Sequence, residues 1–177
     1  MQKKTEKGVT LIALAITIII LIILASITAY SGKSAIDSSK LLAFSTQMKV
    51  MQAEVDVMNQ ELINGNQEVK NYGEDISNFS KSEEILNSAE IYNQIEENTS
   101  LSEEEKTTQK QALKNGFRYY TLDTMKELNI PNVNEEVLVN VENRIVVSCK
   151  GIEYEGKTYY TLDKLPDNLY KVQKKVD

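Results

Sequence analysis

The chain opens with a long apolar run that has no polar face. No charged residue occurs between Lys7 and Lys33, and isoleucine and leucine dominate the stretch. As an α-helix, residues 9–30 would extend about 33 Å, close to the thickness of the hydrocarbon layer of a bilayer. The pattern therefore predicts a transmembrane helix over residues 9–32 and makes the membrane the first expected partner.

The flanks of the run predict its orientation. Lys3, Lys4 and Lys7 precede it, and lysines resist translocation, so we expect a cytoplasmic N-terminus and an extracytoplasmic C-terminal domain in a single-pass cell membrane protein. A cleaved secretory signal peptide is the main alternative. Such a peptide has a shorter apolar region followed by a small-x-small site, and both Ile27-Thr28-Ala29 and Lys33-Ser34-Ala35 have the wrong residue at the outer position. We therefore expect the segment to be retained as an anchor.

A second apolar pattern follows, with a spacing of three and four residues. This spacing predicts an amphipathic α-helix over residues 33–64 that continues the transmembrane helix and ends at Asn64-Gly65. The stripe could form a coiled-coil seam or pack on the protein's own sheet, and we favour the sheet because a sheet that needs a cover follows. The stripe consists of Leu41, Phe44, Met48, Met51, Val55, Met58 and Leu62.

The remaining residues, 65–177, are predicted to form an extracytoplasmic globular domain. After a polar loop at 66–80, two Ser-x-x-Glu capping signatures predict helices near 82–97 and 103–114, within a helical insert at about 80–116. The signatures are Ser80 with Glu83 and Ser102 with Glu105.

From residue 117 onward the apolar period changes to two. Valine and isoleucine alternate along 137–141 and 145–147, and a second hairpin turn is expected at Glu155-Gly156. Together these predict a three-stranded antiparallel β-meander at about 136–163. The fold class expected is α+β: a long N-terminal helix, half transmembrane and half amphipathic, packed on a small antiparallel β-meander with a helical insert.

A short sequence occurs twice in this domain. Residues 119–123, Tyr-Tyr-Thr-Leu-Asp, recur at 159–163, and a helix-like stretch follows each copy. We therefore expect Asp123 and Asp163 to act as helix N-caps.

Composition argues against an enzyme. The chain has no histidine, a single cysteine, no Gly-x-Ser-x-Gly motif and no phosphate-binding glycine loop, so we predict no catalytic residue, cofactor or metal. Cys149 lies in an apolar alternating run and is expected to be a core residue. Asn132–Glu136 offers oxygen ligands for calcium, but it lacks EF-hand spacing. A net charge of −6 argues against a nucleic acid partner.

The first 30 residues resemble a known family. Lys7–Ile12, Lys-Gly-Val-Thr-Leu-Ile, runs directly into the apolar helix and is similar to the prepilin leader and cleavage site of type IV pilins and type II secretion pseudopilins. The resemblance implies that residues 1–8 are a leader and that prepilin peptidase cuts after Gly8. It also implies that Val9 becomes a methylated N-terminus and that the partners are other pilin or pseudopilin subunits and, indirectly, an assembly ATPase and platform.

One position departs from the family pattern. The family usually has a glutamate five residues after the cut, where it pairs with the N-terminal amine of a neighbouring subunit, and this chain has Ala13. The resemblance therefore implies a minor pilin or pseudopilin, a structural subunit of a type IV pilus or type II secretion-like filament. The alternative is a signal-anchored surface protein whose acidic ectodomain binds a ligand or envelope partner.

Overall fold

The computed structural model describes the backbone of residues 6–166 and the side chains of residues 18–22 and 37–166. The chain divides into two compact units, Met1–Leu41 and Leu42–Asp177. Within the described part of the chain, the structure contains no helix that combines the length and the apolar character needed to cross a membrane. Most of the predicted transmembrane segment, residues 9–32, lies outside the described side chains.

The first helix, α1, extends from Glu6 to Ile63. It ends where predicted, because Gly65 adopts a left-handed conformation with φ of 100° and donates its N–H to the carbonyl of Leu62 at 3.0 Å. A residue with a Cβ would be strained in that conformation, whereas glycine is not.

Six strands follow among the described residues of the second unit, all paired antiparallel. The first four form one sheet in the order β1-β2-β3-β4, and the last two form a separate hairpin. The strands are β1 Glu74–Asp75, β2 Arg118–Tyr120, β3 Val137–Asn140, β4 Ile145–Ser148, β5 Ile152–Tyr154 and β6 Lys157–Tyr159.

Short helices connect these strands and cover the sheet. They are α2 Ser82–Ser88, α3 Asn93–Glu96, α4 Glu103–Asn115 and α5 Leu122–Glu127, with 3₁₀ turns at Gln67–Asn71 and Ile76–Asn78.

Both faces of the sheet are buried. Leu138 and Val147 pack on one face with a cluster from α2 and the following loop that includes Leu86 and Tyr92. Because side chains alternate along a strand, Val137, Val139 and Val146 point to the other face, where they are also buried. The sheet therefore forms a middle layer.

The C-terminal part of α1 covers that other face. The predicted stripe residues Phe44, Met48, Met51, Val55 and Met58 are all buried, and the Tyr120 hydroxyl of β2 contacts the Met58 sulfur at 3.6 Å. The expectation that the stripe packs on the protein's own sheet is therefore confirmed for this unit.

The α+β class with an antiparallel meander is confirmed, but one feature of the meander is wrong. The second hairpin, β5–β6, does not extend the sheet; instead β2 and the two-residue β1 pair alongside β3. The 66–80 segment is likewise not a plain loop, since it contains two 3₁₀ turns and β1.

Three predictions about the helices of the insert have mixed outcomes: two concern N-terminal caps and one concerns the continuity of a helix. The Ser102–Glu105 capping box is present with both of its hydrogen bonds. By contrast, α2 begins after Lys81 without a side-chain cap, so the Ser80 prediction is wrong. The helix predicted over 82–97 is divided in two, because Glu90 has a φ of 58° that no α-helix accommodates.

The repeated Tyr-Tyr-Thr-Leu-Asp segment also behaves differently from the prediction. In the first copy the N-cap is Thr121, whose hydroxyl accepts the N–H of Thr124 at 3.2 Å, and Asp123 is already inside α5. In the second copy Asp163 lies in a turn. Neither aspartate is an N-cap.

Candidate functional site

The predicted processing site lies at the start of α1. The backbone positions of Lys7, Gly8, Val9 and Ala13 are helical, and their side chains lie outside the described residues. Lys3 and Lys4 lie outside the described residues altogether. The roles assigned to these residues remain predictions.

Within the first unit, one described stretch of α1 shows apolar side chains on every side. Ile18, Ile19, Ile20 and Leu21 are 48–60% exposed. Successive helical residues are about 100° apart, so four of them point in all directions around the axis. Large aliphatic groups exposed around a whole helix favour an apolar environment over water.

Polar contacts fix the C-terminal part of α1 to the sheet at the β3–β4 turn. The Asn59 amide donates to the carbonyl of Val141 at 3.0 Å, and the Gln52 amide donates to the carbonyl of Arg144 at 3.1 Å. The Arg144 guanidinium in turn donates to Asp56 at 2.9 Å. These contacts set the register of the helix on the sheet, because each joins an α1 side chain to one turn.

The ion pair at this turn perturbs both of its members. The hydrogen bond from Arg144 is the main reason that the pKa of Asp56 is lowered, and the same bond raises the pKa of Arg144. Both side chains remain about half exposed, so the pair is screened by water and contributes little stability.

An open groove of about 940 Å³ lies beside this turn. Its walls come from α1, α3 and α4, from β4 and from residues 161–164. Its lining combines apolar, amide and charged side chains, among them Met48, Gln52, Ile91, Asn93, Leu113 and Asp163. Its volume falls in the range of sites that hold small molecules or short peptide segments.

Cys149 is partly buried and packs against the cluster on the α2 face of the sheet, in agreement with the predicted core role. Burial, together with the charges of Glu136 and Glu135, raises its pKa to about 12. The thiol therefore stays protonated near neutral pH, and a protonated thiol is a poor nucleophile.

The oxygen-rich segment Asn132–Glu136 is engaged by protein groups. Gln47 accepts the backbone N–H of Asn134 at 2.8 Å, and Glu135 accepts the Ser148 hydroxyl at 3.1 Å. Among the residues that the structure describes, no three histidine, cysteine, aspartate or glutamate side chains are grouped so as to hold a metal ion.

Two buried asparagines have structural roles that the sequence reasoning missed. Asn140 is fully buried in β3, where its amide donates to the Leu113 carbonyl at 3.1 Å and its oxygen accepts the Asn143 N–H at 3.0 Å. Asn59 is buried in the same way on α1. A polar residue inside a run of valines, as at Asn140, was the available signal.

No family model, curated protein or solved structure matches this chain.

Proposed function

We propose that the chain is a membrane-anchored structural subunit, a minor pilin or pseudopilin, of a type IV pilus or type II secretion-like filament, and that it has no catalytic role. The observation that carries the proposal is the aliphatic surface of α1 at Ile18–Leu21, which is exposed around the whole helix. It lies within the uncharged run that follows the prepilin-like sequence Lys7–Ile12.

The energetics of this surface support an anchor. Burying one large aliphatic side chain is worth about 1.5–3 kcal/mol, so leaving many of them in water is unfavourable. A bilayer, or the helices of neighbouring subunits within it, would cover the run on every side. The covered stripe on the C-terminal part of α1 supports the same division of the helix, because there the chain's own sheet provides the cover.

Processing is the step that separates a pilin-like subunit from an ordinary anchored protein. In the proposal, prepilin peptidase removes residues 1–8 on the cytoplasmic side, and Val9 becomes the methylated N-terminus. A small residue before the cut lets the backbone reach the peptidase aspartates without obstruction.

Gly8→Val tests this step directly. When the chain is co-expressed with a prepilin peptidase, intact-mass measurement should find the wild type beginning at methylated Val9 and the variant retaining its leader. Gly32→Val is the matched control, since it makes the same substitution elsewhere in α1, and it should be processed normally. A mature wild-type protein that begins at Met1 or Gln2 contradicts the proposal and favours the signal-anchored surface protein.

Ala13 specifies the kind of subunit. Lipid provides no hydrophobic driving force between helices, so polar pairs matter for register even though each contributes only about 1–2 kcal/mol. Without a carboxylate at position 13, the subunit cannot accept the N-terminal amine of the next subunit. It can still donate its own amine to a partner's glutamate. This asymmetry fits a filament tip better than a shaft.

A further inference from the structure

Among residues 6–166, the outer edge of β4 leaves one backbone position unpaired. Cys149 donates its N–H to the carbonyl of Glu136 at 3.0 Å, so alternate residues of this strand bond inward to β3. The backbone N–H of Ser148 points away from β3 and donates to the carbonyl of Tyr160 at 2.8 Å. Val146 lies two residues before Ser148 in the strand, so its backbone N–H and C=O also point away from β3. Within residues 6–166, no hydrogen bond occupies that side of Val146.

This open position lies in the groove described above. Val146 is one of its lining residues and is almost fully buried, as is Thr161 on the neighbouring wall. Among the described residues, the Thr161 hydroxyl has no hydrogen-bond partner. Buried backbone and hydroxyl groups are normally paired, so both groups point to a ligand that offers hydrogen bonds.

The charge of the groove is negative. Glu90, Glu142 and Asp163 line it against two basic residues. Both bases are already engaged, since Arg144 binds Asp56 at 2.9 Å and Lys164 binds Glu90 at 2.7 Å. Glu142 is in turn paired with Lys70. Among the described residues, Asp163 is therefore the lining carboxylate that has no ion pair. A cationic ligand is therefore complementary to the groove.

We propose that the groove binds an extended, lysine-bearing segment of a partner protein, which adds a strand to the edge of β4. A strand supplies the alternating N–H and C=O groups that Val146 requires, and its apolar side chains would pack on Ile91, Leu113 and Ile145. One of its lysines would approach the carboxylate of Asp163. This inference goes beyond the proposed function and does not depend on processing after Gly8.

The test uses the full chain in detergent micelles and a fluorescein-labelled peptide, Lys-Val-Lys-Val-Thr-Val-Lys. Val146→Pro removes the outward N–H, and proline is tolerated at an edge position whose N–H does not serve the ladder. Val146→Ala is the matched control, because it loses the buried side chain but keeps the N–H. Fluorescence anisotropy should show binding about fivefold to tenfold weaker for the proline variant than for the alanine variant.

Amide hydrogen exchange of the wild-type protein gives a second readout that needs no variant to fold. The peptide should slow exchange at Val146 and leave Ser148, which is already bonded, unchanged. Equal affinity of the two variants, or peptide binding without protection of Val146, overturns the proposal. It is also overturned if Val146 is protected without peptide and loses that protection when residues 167–177 are deleted, since the occupant would then belong to the chain itself.

Discussion

The packing of α1 on the sheet gives the sharpest stability test, because the same substitution can be made at a buried and at an exposed position of the helix, with a clear loss of stability expected only at the buried one. Val55 is fully buried in the stripe, whereas Val57, two residues further along the same helix, is 54% exposed. Val55→Ala removes two methyl groups from the core. At about 0.8 kcal/mol for each buried group, with an added cavity contribution, this costs about 2–3 kcal/mol.

Alanine favours a helix over valine by up to about 0.7 kcal/mol, which offsets part of that loss at Val55. At Val57 the substitution brings the same gain in helix propensity and removes little buried surface. Val57→Ala should therefore change stability by less than about 0.5 kcal/mol. For a unit of this size, the Val55 loss corresponds to a decrease in Tm of roughly 5–10 °C.

The measurement is thermal unfolding of the full chain in detergent, followed by near-UV circular dichroism. The chain has no tryptophan and nine tyrosines, so the signal reports tyrosine packing, including that of the buried Tyr92 and Tyr120. An equal loss at both positions would refute the reasoning, because the outer face would then be covered by another chain. No loss at Val55 would mean that the stripe is not part of the core.

Three further predictions concern single side chains. The pKa of Cys149 is raised to about 12 from 9.0. Iodoacetamide should therefore label this thiol about a thousandfold more slowly in the folded protein than in the unfolded protein at pH 8, as measured by mass spectrometry. Equal labelling rates would contradict the burial of Cys149. Asp56 has a pKa lowered from 3.8, so its small stabilisation exists above that pH and is lost as pH falls through the folded value. Asp56→Asn should lower Tm slightly at pH 7, and the difference from the wild type should shrink as the pH falls below 3.8. Ala13→Glu should raise incorporation along a filament shaft when the chain is expressed with a prepilin peptidase and assembly ATPase, measured by immunoblot of sheared filaments; abundant filaments from the wild-type chain alone would contradict its assignment as a minor subunit.

The sequence predicted helix termini well where local hydrogen bonds decide them. Ser102 and Glu105 lie on an exposed surface, and their reciprocal bonds form regardless of the rest of the fold. Ser80 has the same signature but follows Phe79, whose ring stacks on Tyr119 of β2 with centroids 5.1 Å apart. Packing between distant residues therefore fixes the chain before α2 and outweighs the local cap.

The sheet could be predicted from the sequence only in part. Alternation of Val137, Val139 and Val141 predicted one apolar face, and the continuous apolar run through Leu138 was the available sign that both faces are buried. The two-residue β1 was not predictable from its sequence, Glu74-Asp75, because it exists only through pairing with β2. The groove was missed because its lining comes from α1, α3, α4, β4 and residues 161–164, which are distant from one another in the sequence.

The proposed filament subunit and the anchored surface protein share an anchor and an ectodomain, so stability measurements on Val55 cannot separate them. The difference lies at the first residues of α1. A surface protein needs only an apolar helix, and neither Gly8→Val nor Ala13→Glu should change its location or its partners. A filament subunit needs a defined N-terminus and a partner carboxylate, so both substitutions should change its assembly in opposite directions: Gly8→Val should block incorporation, and Ala13→Glu should increase it. Opposite effects from two side chains that leave the ectodomain untouched would be hard to explain by anchoring alone.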